Sequence, residues 1–432
     1  MIRQLDVYEA AMRRIKVVFD NFDYVYVSFS GGKDSGVLLN LCIEYIRTCA
    51  PNRRLGVFHM DYEIQYTQTM EYVEKALASN ADILDVFHCC IPFKVPTCTS
   101  MYQNYWRPWE EEKRALWVRE KPQNCYTSDD FDFFSEDLWD YDFQLLFAPW
   151  LCQRMKCRNI CCLVGIRTQE SYNRWLAIHS DRNYRRLFHY KWTYQIAHNV
   201  FNAYPIYDWK TSDIWTANGK YGWTYNRLYD LYYQAGIPIS RQRVASPFIS
   251  YAIPSLKIYR VIDPNMWGRM ISRVNGVNFA GIYGKTTAMG WKTIQCPPGF
   301  SWKDYMYFLL DTLPERTREN YLNKLNVSIR FWRERGGCLA SETIKRLTEA
   351  GVEFVVGTET AYQTDKKPVR MEYLDDIDIP EFKEIPTYKR MCICILKNDH
   401  ICKYMGFALT KQEKERKEKV MEKYKLIRDG KL

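Results

Sequence analysis

The 432-residue sequence contains no run of the ~20 uninterrupted apolar residues that a membrane helix requires, because charges or prolines break every stretch. Acids and bases interrupt Met1–Asp20 and no small-residue cleavage site follows, so no secretory signal is expected and a cytoplasmic location is. Without export, the 15 cysteines do not read as a disulfide scaffold. Cys152, Cys157, Cys161 and Cys162, like Cys89-Cys90, also lack the C-x-x-C pairs of metal sites and the spacing of iron–sulfur clusters. They are expected to hold no stoichiometric metal, with Cys161 and Cys162 packed in a core strand as small hydrophobes. The six histidines are scattered, and core packing is expected for His59 and His88. No internal repeat is legible.

What is present is a globular composition, 47% hydrophobic and 26% charged, in a chain long enough for more than one domain. The excess of 61 bases over 51 acids favours polyanionic partners. Aromatics at 16% fit either a large aromatic core or stacking on bases, which leaves nucleic acid open as a partner.

Leu5, Tyr8, Met12, Ile15 and Phe19 recur at helical spacing, and Tyr24–Phe29 reads as a strand. Ser30-Gly31-Gly32-Lys33-Asp34-Ser35-Gly36 follows, then a helix with Val37, Leu38, Leu41, Cys42, Tyr45 and Ile46 on its apolar side. Leu55–Met60 predicts a second strand ending at Asp61, Tyr66–Leu77 a helix and Asp85–Phe93 a third strand. This alternation predicts a parallel α/β sheet. An aromatic, acidic insertion near 97–150 breaks the rhythm before strands at Cys161–Ile166 and Tyr204–Tyr207, a helix near Ile214 capped by Ser212 or Asp213, and another at Asn226–Gln234. Domains are expected at 1–255 and 256–432, the second smaller and mostly helical. An acidic link, Leu374–Pro386, and an exposed charged helix, Lys411–Leu432, lie within it.

The chemistry-bearing segment is Ser30–Ser35. Its two glycines permit a tight turn that exposes N–H groups, the helix N-terminus adds partial positive charge, and Lys33 and the serine hydroxyls can meet phosphate oxygens. It is not a Walker A loop, whose G-x-x-x-x-G-K-[ST] spacing is missing. A second group, Gly165, Arg167, Glu170, Ser171 and Arg174, follows a predicted strand, and Arg154–Lys191 contains nine bases against two acids. That basic stretch reads as either a solvated surface or a phosphate channel.

Ser-Gly-Gly-Lys-Asp-Ser after a first strand resembles the PP-loop of ATP pyrophosphatases, which cleave ATP between its α- and β-phosphates. Gly165-x-Arg167-x-x-Glu170-Ser171-x-x-Arg174, with Pro205, Trp209 and Asp213-Ile214-Trp215, resembles the phosphoadenosine-phosphosulfate reductase and sulfate-adenylyltransferase small-subunit branch. The resemblance covers roughly residues 20–250. Arg243–Phe248 and Tyr388–Asp399 are similar to the immunoglobulin-binding-regulator A group, often paired with a ParB-like partner.

The resemblance implies an adenine-nucleotide α-hydrolase-like parallel sheet with helices on both faces. It implies ATP held by Ser30, Gly31, Gly32, Lys33, Asp34, Ser35, Asp61, Gly165, Arg167, Glu170, Ser171 and Arg174, with Mg²⁺ on Asp34 and Asp61. Lys33, Asp34, Arg167 and Arg174 would be catalytic, Glu170 orienting an arginine, and pyrophosphate would leave as an acceptor is adenylated. The reductases' Glu-Cys-Gly-Leu/Ile-His segment is missing, since Cys338 and Cys402 stand in other contexts. A sulfonucleotide reductase or sulfurtransferase, and an ATP-sensing regulator with little turnover, remain the alternatives.

Overall fold

The computed structural model describes residues 6–170, 174–175, 178, 186–249, 252–284, 294–358 and 366–405. Helix α1 (Val7–Asn21) opens on an Asp6 cap that accepts from the Glu9 N–H, and buries Ala11, Ile15, Val18 and Phe19. Strand β1 (Tyr24–Ser28) leads through the glycine loop into α2 (Lys33–Cys49), followed by β2 (Leu55–Met60), α3 (Thr67–Ala78) and β3 (Leu84–Cys89). The third strand stops short of the expected Phe93. Pro92 cannot donate to a ladder, and Ile91 and Phe93 turn into the core instead.

The insertion supplies a two-residue ladder, β4 (Val95–Pro96) with β5 (Tyr105–Trp106), and then α4 (Asp140–Arg154). Strands β6 (Ile160–Val164), β7 (Thr193–Ala197) and β8 (Val200–Ala203) complete a sheet of order β3-β2-β1-β6-β8-β7. Its pairs are parallel except β7 with β8. The strand expected at Tyr204–Tyr207 lies four residues earlier. A hairpin turning at Asn199, whose φ of 62° suits asparagine, forms β7 and β8, and Tyr204–Tyr207 is a turn. The helix expected near Ile214 begins at Thr211, where Asp213 accepts from the Lys210 N–H rather than acting as the cap residue.

Alternation along β1 separates two cores. Val25 and Val27 face α1, α2 and α3, whereas Tyr24 and Tyr26 face α4 and the insertion. The insertion's aromatics are packed there: Phe58 stacks on Phe147 with centroids 3.9 Å apart, and Phe131, Phe143 and Trp150 surround them. Much of the aromatic content is therefore core. Ile253, Met270, Val277 and Ala280 join the same core, while Trp302 and later residues form separate clusters. From Trp302 onward, helices 302–311, 315–334 and 388–396 share one core, and helix 341–349 shares a second with a small antiparallel sheet of β9 (Gly337–Leu339), β10 (Phe354–Val356) and β11 (Lys367–Met371). The expected helix Lys411–Leu432 lies outside the described residues.

Candidate functional site

The glycine loop sits at the carboxyl end of β1, where open α/β sheets place ligands. Gly31 has a φ of 72°, and a Cβ there would approach Val73 to 2.8 Å and Thr69 to 3.0 Å. Only glycine fits the turn. The Ser35 hydroxyl accepts from the Ser30 N–H at 3.2 Å, lies 3.0 Å from the Ser30 hydroxyl and donates to the Gly32 carbonyl at 3.1 Å. Both serines thus hold the loop's shape.

Contacts from far along the chain close the loop. Asn226 Nδ2 donates to the Gly31 carbonyl at 2.9 Å, and the Lys33 N–H donates to the Tyr229 hydroxyl at 3.0 Å. Lys33 Nζ is buried, donates to the Gln242 carbonyl at 3.2 Å and lies 3.4 Å from Asp34. Burial pushes the Lys33 ammonium below its ordinary pKa, partly offset by Asp34. No local pattern in the sequence marks Asn226, Tyr229 or Gln242 as partners of the loop.

The second motif meets the first through Asp34. Arg167 is almost fully buried; its Nε donates to Asp34, and its Nη1 reaches Thr211 Oγ1 at 3.2 Å. Gly165 makes this approach possible, since a Cβ there would lie 3.0 Å from the backbone of both Asp34 and Ser35. Glu170 lies 3.9 Å from Arg167 Nη2 and pairs with Arg174, whose side chain is 42% exposed. The two arginines therefore differ: one is an interior strut, the other reaches solvent. Ser171 lies outside the described residues. Among the described residues of the basic stretch 154–191, Arg158 precedes β6 and pairs with Asp23, while Arg167 follows that strand's other end.

Asp61 does not stand ready for a cation. It is fully buried; one oxygen accepts from Arg119 and from the Glu63 N–H, and the other lies 2.8 Å from His88 Nε2. Burial alone would raise the Asp61 carboxyl, but Arg119 and His88 hold it well below the usual carboxylate range. His59, Asp61 and His88 present ligand atoms within 4.8 Å of one another. His59 Nδ1 is 2.8 Å from the Phe29 carbonyl, and its Nε2 has no hydrogen-bond partner; burial lowers the ring's pKa to about 4. A cation at Asp61 would have to displace Arg119 or His88, which occupy its oxygens.

Glu63, which the sequence did not single out, is equally buried, takes Arg273 Nε and Nη2 at 2.8 and 2.9 Å and accepts from the Trp109 N–H. A cavity of about 550 Å³ opens beside the loop. Gln65, Tyr66 and Thr69 line one side, Arg241, Arg243 and Val244 the other. Gln65 keeps a buried Oε1 without a hydrogen-bond partner.

Residues 24–91 match the phosphoadenosine phosphosulfate reductase domain, and residues 236–416 match a domain of unknown function, DUF3440. Among solved structures, phosphoadenylyl-sulfate reductase of Candida auris is 15% identical, covering 51% of this chain and 84% of that one, with a TM-score of 0.30. The NH3-dependent NAD synthetase of Campylobacter jejuni is 14% identical, covering 64% and 97%, with a TM-score of 0.25. The uncharacterized protein YbdN of Escherichia coli K12 is 32% identical over 415 residues, 95% of this chain and 92% of its own length. With that identity and coverage, and with the glycine loop inside the reductase-type match, the chain belongs to the YbdN family within the PP-loop superfamily.

Proposed function

We propose that the chain is an enzyme that binds ATP, cleaves it between the α- and β-phosphates, releases pyrophosphate and adenylates an acceptor. The observation that carries this reading is the loop Ser30–Ser35, set between β1 and α2, with Lys33 inside it and Arg167 tied to its Asp34. The loop's N–H groups and the start of α2 suit the β- and γ-phosphates, which become the leaving group. Lys33 Nζ, by leaving the Gln242 carbonyl, would supply full charge where negative charge grows. Arg174 reaches phosphate directly, whereas Arg167 acts through Asp34 as a positioning residue. The cavity lined by Tyr66 and Arg243 suits the remainder of the nucleotide or the acceptor.

Mg²⁺, held by phosphate oxygens with Asp34 as the candidate protein carboxylate, would screen the triphosphate charge. Asp34 is the one predicted ligand that retains some exposure, at 14% of its side chain. The nucleophile belongs to the acceptor, since Cys402 is buried in the C-terminal core and Cys338 lies in β9. A thiosulfonate on either cysteine finds no support in these placements.

Incubation with ATP, Mg²⁺ and candidate acceptors, a ParB-like protein among them, is expected to yield AMP and pyrophosphate on chromatography. ADP as the main product would overturn the reading. Lys33→Ala keeps the backbone turn and removes the charge, so ATP affinity should fall about tenfold or more, roughly 1.5–3 kcal/mol. Calorimetric titration showing unchanged affinity in the folded variant would move the phosphate site elsewhere.

A further inference from the structure

We propose that Cys152 and Cys157 form a redox-active dithiol, a modification site that closes to a disulfide on reaction with a low-molecular-weight disulfide. The geometry begins with how α4 ends. The Cys157 N–H donates to the Cys152 carbonyl at 3.1 Å and the Lys156 N–H to the Gln153 carbonyl at 3.1 Å, with Lys156 at a φ of 52°. This is the paired hydrogen-bond pattern of a Schellman turn, which brings the side chains six positions apart, counting both ends, into contact. Such contacts are ordinarily apolar; here they are two thiols, with sulfurs 3.1 Å apart.

Both thiols are half-buried, in contrast to Cys161 and Cys162 in the adjoining strand, which are buried. The hydrogen bond from Cys157 favours the Cys152 thiolate and raises the Cys157 thiol. Cys152 is thus the attacking sulfur and Cys157 the resolving one. Arg154 and Lys156 stand between the two cysteines in sequence and add positive charge that suits an anionic reagent such as oxidised glutathione, while Arg158 is paired with Asp23.

The chemistry balances as thiol–disulfide exchange. The Cys152 thiolate attacks one sulfur of the reagent, its S–S bond breaks, and one reagent thiolate leaves and takes up a proton. Cys157 then loses its proton, and its thiolate attacks the Cys152 sulfur of the mixed disulfide, expelling the second reagent thiolate. Two protein thiols are oxidised, and one reagent disulfide is reduced to two thiols. The turn lies at the start of β6, whose other end leads to Gly165 and Arg167. Oxidation would therefore fasten α4 to the strand that carries the second motif.

Reduced full-length protein is incubated with oxidised glutathione, its remaining thiols are alkylated, and tryptic peptides are weighed. Arg154 and Lys156 lie between the cysteines, so trypsin separates them in reduced protein. After oxidation, the expected product is a pair of peptides joined through Cys152 and Cys157, unalkylated and lighter by two hydrogens than the separate thiols. Cys157→Ser should stop at a glutathione adduct on Cys152, while exposed Cys49 serves as an internal reference for reagent access. Full alkylation of both residues after oxidation has modified Cys49 would overturn the proposal. So would a glutathione adduct on Cys152 that persists in the wild-type protein without ring closure.

Discussion

Glu63→Ala should lose about 3–5 kcal/mol of unfolding free energy, the usual penalty for removing one partner of a buried ion pair. Glu63 is fully buried and meets Arg273 in a bidentate pair, with the Arg273 side chain 1% exposed. Truncation leaves that guanidinium with the Arg107 carbonyl at 2.6 Å and a distant Glu110 at 3.9 Å. It also strips acceptors from the Trp109 and Val118 N–H groups. Glu63→Gln keeps the shape and one acceptor while losing the charge, so its loss should be smaller than that of alanine. Denaturant unfolding of both variants tests this. A Glu63→Ala protein within about 1 kcal/mol of wild type would show that Arg273 finds solvent by local rearrangement.

Arg167→Ala and Arg174→Ala should part company, although the motif presents them as equivalents. Arg167 is 2% exposed and braces Asp34, itself 14% exposed; its loss should cost about 3 kcal/mol and loosen the first turn of α2. Nucleotide binding would fall with it. Arg174, 42% exposed, should cost at most about 1 kcal/mol, yet its removal should strongly suppress pyrophosphate release. Melting curves and product assays on the two variants separate the roles. Full turnover in Arg174→Ala with an acceptor present would remove that residue from the proposed phosphate contacts.

The first half of the sheet was legible because each element announces itself locally. β1 is a run of β-branched and aromatic residues, the glycines punctuate its end, and α2 and α3 carry helical apolar spacing. The hairpin β7–β8 escaped because Thr193–Ala203 mixes polar residues into short strands at the sheet edge, and its only turn signal is His198-Asn199. At the site, residue types were readable and partnerships were not. Asp61 was a candidate cation ligand through its resemblance to relatives that carry an acid there, and its pairing with Arg119, 58 residues away, left no local trace. Glu63 carried no local mark at all, since its partner lies 210 residues on. Long-range charge pairing has no period for a sequence to display.

The closure of the glycine loop has a consequence for biosynthesis. The groups that fasten Gly31 and Lys33, namely Asn226, Tyr229 and Gln242, follow at sequence separations of 195, 196 and 209 residues. At a synthesis rate of roughly 5–20 residues per second, they leave the ribosome about ten seconds or more after the loop does. During that interval β1, α2 and β2 can pair through nearby contacts, while the glycine loop has neither its tyrosine cover nor its carbonyl tether. Loop-closure entropy adds to the delay, because contacts this remote reward the chain only after the intervening segments have folded. The nascent protein would thus display its glycine loop unfastened before the finished one encloses it.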